Sequence, residues 1–257
     1  SSTAQTGSLP ADLNAAFGPF GTGISDTGPD IATDVVVQTT GRFAVNHSSS
    51  VTLHNPDGSQ ITSAQCPFFK CTNLERQSND FFIWAGVNWS GELGVTRLRP
   101  DLSVDSSFGI SGTVFTRIAG RATNEVVGIA IDGKRIVIAG NAAATTNPGD
   151  LRQFVARFTV RGALDTTFDG RGYVYERTTN LRAGSVAMQG TNVVVGGWAP
   201  DNNPLGAVSV ITVYNDLGIK FSGFNHGNTL VLPGFGSFVA VQPDSKIIAT
   251  IWETSPT

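Results

Sequence analysis

Three tryptophans in this 257-residue chain stand beside side chains that bind hydroxyl groups: Asn88 with Trp89, Trp198 with Asp201 and Asn202, and Trp252 with Glu253. An indole face stacks on the C–H face of a sugar while amides and carboxylates hold its hydroxyls, so these sets are candidate carbohydrate-binding groups. The acids raise a second chemistry. Asp105 and Asp165 sit in two near-copies of one hexapeptide, VDSSFG (104–109) and LDTTFD (164–169). Glycoside cleavage needs two carboxyl groups flanking one bond, whereas these acids recur one per repeat. A third copy, LNAAFG (13–18), carries Asn14 in the acid's place, which keeps the hydrogen-bonding role and drops the charge. The hexapeptide is therefore expected to be a corner. Its Asp and Ser/Thr accept backbone N–H groups, Phe anchors it, and the following Gly112 or Gly172 permits positive φ. Asp34, Asp80 and Glu125 lie near strand starts and could still be brought together by loops.

The remaining reactive residues add little. No nucleophile elbow, phosphate-binding loop, HExxH or EF-hand pattern occurs. His47, His54 and His226 share no metal-ligand spacing, so neither a metal nor a cofactor is expected. Cys66 and Cys71 bound the segment CPFFKC, a gap that suits a local disulfide; with no other cysteine and no neighbouring histidine they make a poor zinc site. The sequons at Asn46 and Asn88 are of a kind that arises by chance in a chain rich in Asn, Ser and Thr.

A net charge of -3 and the lack of any Lys/Arg run leave no electrostatic footprint for nucleic acid. The longest apolar stretches are strand-sized, so no membrane span is expected. The chain starts SSTAQTGSLP, without an apolar signal-peptide core, and this start resembles the trimmed end of a processed secreted protein. An extracellular setting, where a disulfide persists, is the expectation.

The elements that would position these residues form an array. A β-branched run ending in small residues appears as FFIWAGV (81–87), RIVIAGN (135–141), NVVVGGW (192–198) and KIIATIW (246–252), with RFAVNHS (42–48) a fainter copy. Aligned positions Trp84, Ile138, Val195 and Ala249 are spaced by 54, 57 and 54 residues, while Val45 precedes Trp84 by 39. Before four of the five runs lies an inner strand, DVVVQ (34–38), VGIAI (127–131), SVAMQ (185–189) or FVAVQ (238–242); before FFIWAGV, CPFFKC stands where it should be. After it come a third strand, the hexapeptide and a short fourth strand such as GTVFT (112–116) or GYVYE (172–176). Four short strands per period is the pattern of a propeller blade.

The stretch VRGALDTTFDGRGYV, with IDGKRIVIAG upstream, resembles the delta-60 repeat family, whose units carry a DGKI-strand-Gly element and an LDxxFGxxG element. The resemblance is best over residues 97–176 and weaker over 9–59 and 183–250; residues 60–80 depart from the pattern. It implies a β-propeller and often an extracellular or surface setting, and it carries no catalytic residues. The expected architecture is an all-β, five-bladed β-propeller forming one domain over residues 1–257. Its last blade would be closed by the N-terminal segment, with residues 2–7 and 22–26 as outer strands. The expected function is non-catalytic, lectin-like recognition through loops on one face, with glycans or a surface protein as partners. A glycoside-processing enzyme with carboxylates in the axial funnel, or a protein-binding scaffold, is the alternative.

Overall fold

The computed structural model describes residues 32–144, 147–178, 180–201, 206–236 and 238–252. Apart from one 3-10 turn at Asn225–Gly227, its regular structure is strand, arranged as five antiparallel sheets in chain order. The first contains β1 (Ala32–Val37), β2 (Phe43–His47), β3 (Ser50–His54) and β4 (Gln60–Gln65); the second contains β5 (Lys70–Arg76), β6 (Phe82–Val87), β7 (Leu93–Leu98) and β8 (Thr113–Thr116). The third is built from β9 (Ala122–Ile131), β10 (Arg135–Ala144), β11 (Asn147–Thr159) and β12 (Tyr173–Tyr175). The fourth has β13 (Arg182–Gln189), β14 (Asn192–Pro200), β15 (Ala207–Tyr214) and β16 (Leu230–Leu232), and the fifth pairs β17 (Val239–Val241) with β18 (Ile247–Ala249). Each four-stranded sheet is a simple meander in which neighbours in sequence are neighbours in space.

The segment at 60–80, where the repeat pattern broke down, supplies a full inner strand. The polar turn after β3 leads straight into β4, without a hexapeptide corner, and β5 starts inside CPFFKC. A disulfide joins Cys66 to Cys71 there, across a Cα–Cα distance of 5.9 Å, and ties the end of the first sheet to the start of the second.

First strands pack in series, β1 on β5, β5 on β9, β9 on β13 and β13 on β17. Between successive sheets lies one apolar layer each. Trp84, Leu74 and Leu53 fill the first, Ile83, Phe108, Ile129 and Ile136 the second, Val137, Phe168 and Val195 the third, and Val194, Ile211 and Val213 the fourth. Trp84 is wholly buried, and its Nε1 donates a 2.6 Å hydrogen bond to Asn46 Oδ1 of the first sheet. At the two ends of the series apolar side chains remain uncovered: Val35 and Val37 on β1, Phe238 and Ile248 in the fifth sheet. The expected closure by residues 2–7 and 22–26, and the LNAAFG copy, lie outside the described residues.

The hexapeptide is a corner between the third and fourth strands of its sheet. In the second sheet, Asp105 Oδ1 accepts from the Ser107 backbone N–H (3.2 Å) and hydroxyl (2.9 Å). Arg97 on β7 donates through Nε to Asp105 Oδ2 at 2.6 Å, and its guanidinium lies 5.0 Å from the Phe108 ring. Arg97 Nη1 then crosses to the third sheet and donates to the Val160 carbonyl at 2.6 Å. The third sheet repeats the device. Arg157 pairs with Asp165 at 2.9 Å, sits 4.7 Å from Phe168, and reaches the Asp216 carbonyl of the fourth sheet at 2.7 Å. Burial alone would raise the carboxyls of Asp105 and Asp165, but hydrogen bonds from Ser107 and Thr167, with the paired arginines, hold both below the usual value. Gly112 and Gly172 close the two corners at φ +94° and +82°, as the motif required. The corner is mechanical.

Candidate functional site

Among the described residues, an open cleft of about 290 Å3 lies where the second and third sheets meet. Phe69, Lys70, Asn88, Trp89, Thr123 and Glu125 contribute to its lining. Trp89 is 83% exposed, and its ring centroid lies 4.0 Å from that of Phe69, tilted by 47°. The two rings form a broken aromatic platform with most of the indole open.

The platform is held by a tight turn between β6 and β7. Asn88 Oδ1 accepts from the backbone N–H groups of Ser90 and Glu92, both at 2.9 Å, and Asn88 Nδ2 donates to Glu92 Oε2 at 2.8 Å. This is the local side-chain bonding that makes Asn a turn residue. Asn88 therefore shapes the turn that presents Trp89. Gly91 completes it at φ +70°, and a Cβ there would stand 2.9 Å from the Ala122 Cβ of the neighbouring strand. From β8's end, Arg117 Nη2 donates to the Ser90 carbonyl at 2.8 Å and braces the turn from outside. The opposite wall is β9, whose Thr123 N–H donates to the Gly91 carbonyl at 2.7 Å and whose exposed Glu125 accepts from Asn141 Nδ2 at 2.8 Å.

The other tryptophan sets lie elsewhere, at the junction of the fourth and fifth sheets. Trp198 is half-buried within β14, with the Arg182 guanidinium 4.6 Å from its ring and Phe235 at 5.7 Å. Asp201 is exposed just past the strand end, and its N–H donates to the Gly206 carbonyl at 3.0 Å. Trp252 is 74% exposed and bridges Phe235 through two backbone hydrogen bonds, beside a small cleft it shares with Phe238. Asn202 and Glu253 lie outside the described residues. Of the sequence-derived candidates, Asn88, Trp89 and Glu125 come together, and the remaining sets stay apart from them.

Among the acids, Asp80 is engaged by the Thr39 backbone N–H (3.0 Å) and hydroxyl and by Arg76 (2.9 Å), and these bonds, led by the Thr39 hydroxyl, lower its pKa. It fastens two turns together. Asp34 on β1 faces β5, where the Leu74 N–H donates to its Oδ2 at 3.1 Å. Next to Leu74 is Glu75, an acid that the sequence pattern did not place on an inner strand. Burial pushes both carboxyls above their ordinary values; backbone N–H bonds offset part of this in each, and the Asp34 charge raises Glu75 further. The second residue missing from the sequence reading is Phe69, whose partnership with Trp89 depends on the fold of CPFFKC.

No family model matches the chain, and neither does any curated protein sequence. Solved structures do resemble it. The Dos1 propeller matches with a TM-score of 0.55 at 8% identity, over 86% of this chain and 52% of that one, so the match spans about half the Dos1 chain. A gluconolactonase from Xanthomonas campestris matches with a TM-score of 0.45 at 12% identity, over 86% of this chain and 69% of the other. An exo-β-1,3-galactanase from Phanerochaete chrysosporium gives 0.41 at 12%, over 79% and 52%. At such identities the likeness speaks to fold alone. The chain has β-propeller architecture.

Proposed function

We propose that this protein is an extracellular, single-domain, five-bladed propeller of the delta-60 repeat kind that recognises carbohydrate without catalysis, through the cleft between its second and third blades. The observation that carries the reading is Trp89: a large indole, 83% exposed, fixed by a rigid turn against Phe69 and flanked by the exposed Glu125 and Lys70. Stacking plus hydroxyl acceptors and donors is the combination that shallow sugar sites use. A glycan array followed by titration of Trp89 emission tests it. Saturable binding that Trp89→Ala abolishes, with the melting temperature unchanged, is the expected result; an array without a hit defeats the reading. Trp198→Ala should instead lower stability, because its ring is packed between Arg182 and Phe235.

One observation favours a second reading. Asp34 and Glu75 place two carboxyls with raised pKa on neighbouring inner strands, which is where a propeller glycosidase would need its acid and its base or nucleophile. Turnover of chromogenic glycosides that is lost in both Asp34→Asn and Glu75→Gln would support it, and inert wild-type protein would end it.

The fifth blade belongs to the same proposal. Two strands of it are described, apolar groups stay uncovered on β1 and in the fifth sheet, and residues 13–18 repeat the corner motif. We infer that the N-terminal segment completes this blade and closes the ring. Removing residues 1–20 should then collapse the melting transition, and a truncated chain that melts like the full one rules closure out.

A further inference from the structure

The two phenylalanines of CPFFKC face opposite ways. Phe68 is buried, packed where the missing side chain of Gly94 leaves room (a Cβ there would meet its ring at 2.6 Å), and edge-on to Phe115 at 5.6 Å. Phe69 turns outward to Trp89. Backbone bonds fasten both ends of the segment to the first sheet, Cys66 N–H to the Ser49 carbonyl at 2.8 Å and Cys71 N–H to the Ser48 carbonyl at 3.2 Å. The Cys66–Cys71 bond then fixes the span between them, only five positions long. A short covalent ring removes most of the backbone freedom that would let Phe69 swing off the indole.

We propose that the Cys66–Cys71 disulfide is a positioning element of the cleft: it holds Phe69 against Trp89, and carbohydrate binds more tightly when it is closed. This rests on the carbohydrate reading of the cleft. Opening takes two electrons and two protons from a dithiol; the S–S bond breaks, two cysteine thiols form, and the dithiol becomes its cyclic disulfide. Cys66 is half-exposed while Cys71 is buried, so the attacking thiolate meets Cys66 first. Phe68 and the two backbone bonds keep the segment docked after reduction, which makes the loss local to Phe69.

The test compares oxidised protein, protein reduced with dithiothreitol and capped with iodoacetamide, and the variant Cys66→Ala with Cys71→Ala. Acrylamide quenching of Trp89, taken as the difference from Trp89→Phe in each state, reads the platform without any ligand. Opening should raise Trp89 quenching while far-UV circular dichroism and the emission of buried Trp84 stay fixed. Affinity for an array-identified oligosaccharide should weaken roughly tenfold, the size of one lost pre-organised side chain, and return on reoxidation of the uncapped protein. Trp89 quenching that is equal in open and closed protein overturns the clamp. Oxidised protein that binds no sugar overturns the carbohydrate reading, while the quenching result still decides the clamp.

Discussion

The corner of the third sheet and the corner of the fourth share one backbone and opposite chemistry. In the third, Asp165 N–H donates to the Arg157 carbonyl at 2.8 Å and Phe168 N–H to the Asp165 carbonyl at 2.9 Å. In the fourth, Phe221 N–H donates to the Val213 carbonyl at 2.8 Å and Phe224 N–H to the Phe221 carbonyl at 3.0 Å. The positions correspond one to one. Arg157 has become Val213, and Asp165 has become Phe221; both phenylalanines of the fourth corner pack in the same apolar cluster as Val213. Both members of an ion pair have been exchanged together for apolar groups. That is the substitution a buried pair tolerates, because neither charge is left alone. The two ionic corners also reach onward, to carbonyls in the turn after the next sheet's third strand, at Val160 and Asp216. Among the described residues the fifth sheet has no third strand for a fourth corner to reach.

The largest effect should come from breaking one half of an ionic corner. Arg157 is 2% exposed and joins Asp165, Thr167 and Asp216. Arg157→Ala strands the Asp165 carboxylate and opens a hole over Phe168, so it should cost about 3–5 kcal/mol in urea unfolding. A loss below about 1 kcal/mol, the scale of an exposed pair, would show that the corner is held by its backbone alone.

Converting the third corner into a copy of the fourth should cost less. Arg157→Val with Asp165→Phe removes both charges, and its loss should be smaller than that of Arg157→Ala by itself, a sign reversal of simple additivity. The same variant should alter the acid limb. Asp105 and Asp165 have folded pKa values below their unfolded ones, so their stabilisation is complete above the unfolded carboxylate pKa of about 3.9 and is lost as pH falls through the folded values. Melting temperature should therefore drop below about pH 4 in the wild type and more gently in the double variant. Matching acid limbs would mean that the corner carboxylates do not govern acid unfolding.

The contrast between legible and illegible parts of the chain follows the same lines. The period-two runs of β9, β10, β13 and β14 and the repeated hexapeptide were plain in the letters, because alternation and turn residues are local properties. The arginine eight positions before each corner acid was not, since its role appears only when Leu98 stands opposite Val104 and Phe158 opposite Leu164. β5 was hidden by its polar content and by an irregularity between Cys71 and Asn73 that breaks the alternation, and Glu75 was hidden with it. The tryptophans show the limit for the site. Trp89 and Trp198 follow similar strand cores, but β6 stops at Val87 while β14 runs on to Pro200. One indole is therefore carried out on a turn, and the other stays in the sheet and packs. Strand length was decided by the partner strand, which a single segment does not reveal.

The smallest effect sharpens what the arginine contributes beyond charge. In the second sheet Arg97 uses three nitrogens on three partners: Nε on Asp105, Nη2 on Ser107 at 3.0 Å, and Nη1 on the Val160 carbonyl at 2.6 Å. Arg97→Lys keeps one positive charge near Asp105 and surrenders the planar fork, so it cannot hold the carboxylate and the next sheet's carbonyl at once. The expected cost is about 1 kcal/mol, one net hydrogen bond, with most of the charge interaction retained. Hydrogen exchange locates the damage: the Gly109 N–H, which donates to the Arg161 carbonyl across the same seam at 2.8 Å, should lose protection while the Asp105 N–H within the corner keeps it. Loss at both sites would mean that the arginine builds the corner. Loss at Gly109 alone means that the corner is built by its own backbone, as the Val213 and Phe221 version implies, and that the arginine's part is to join one sheet to the next.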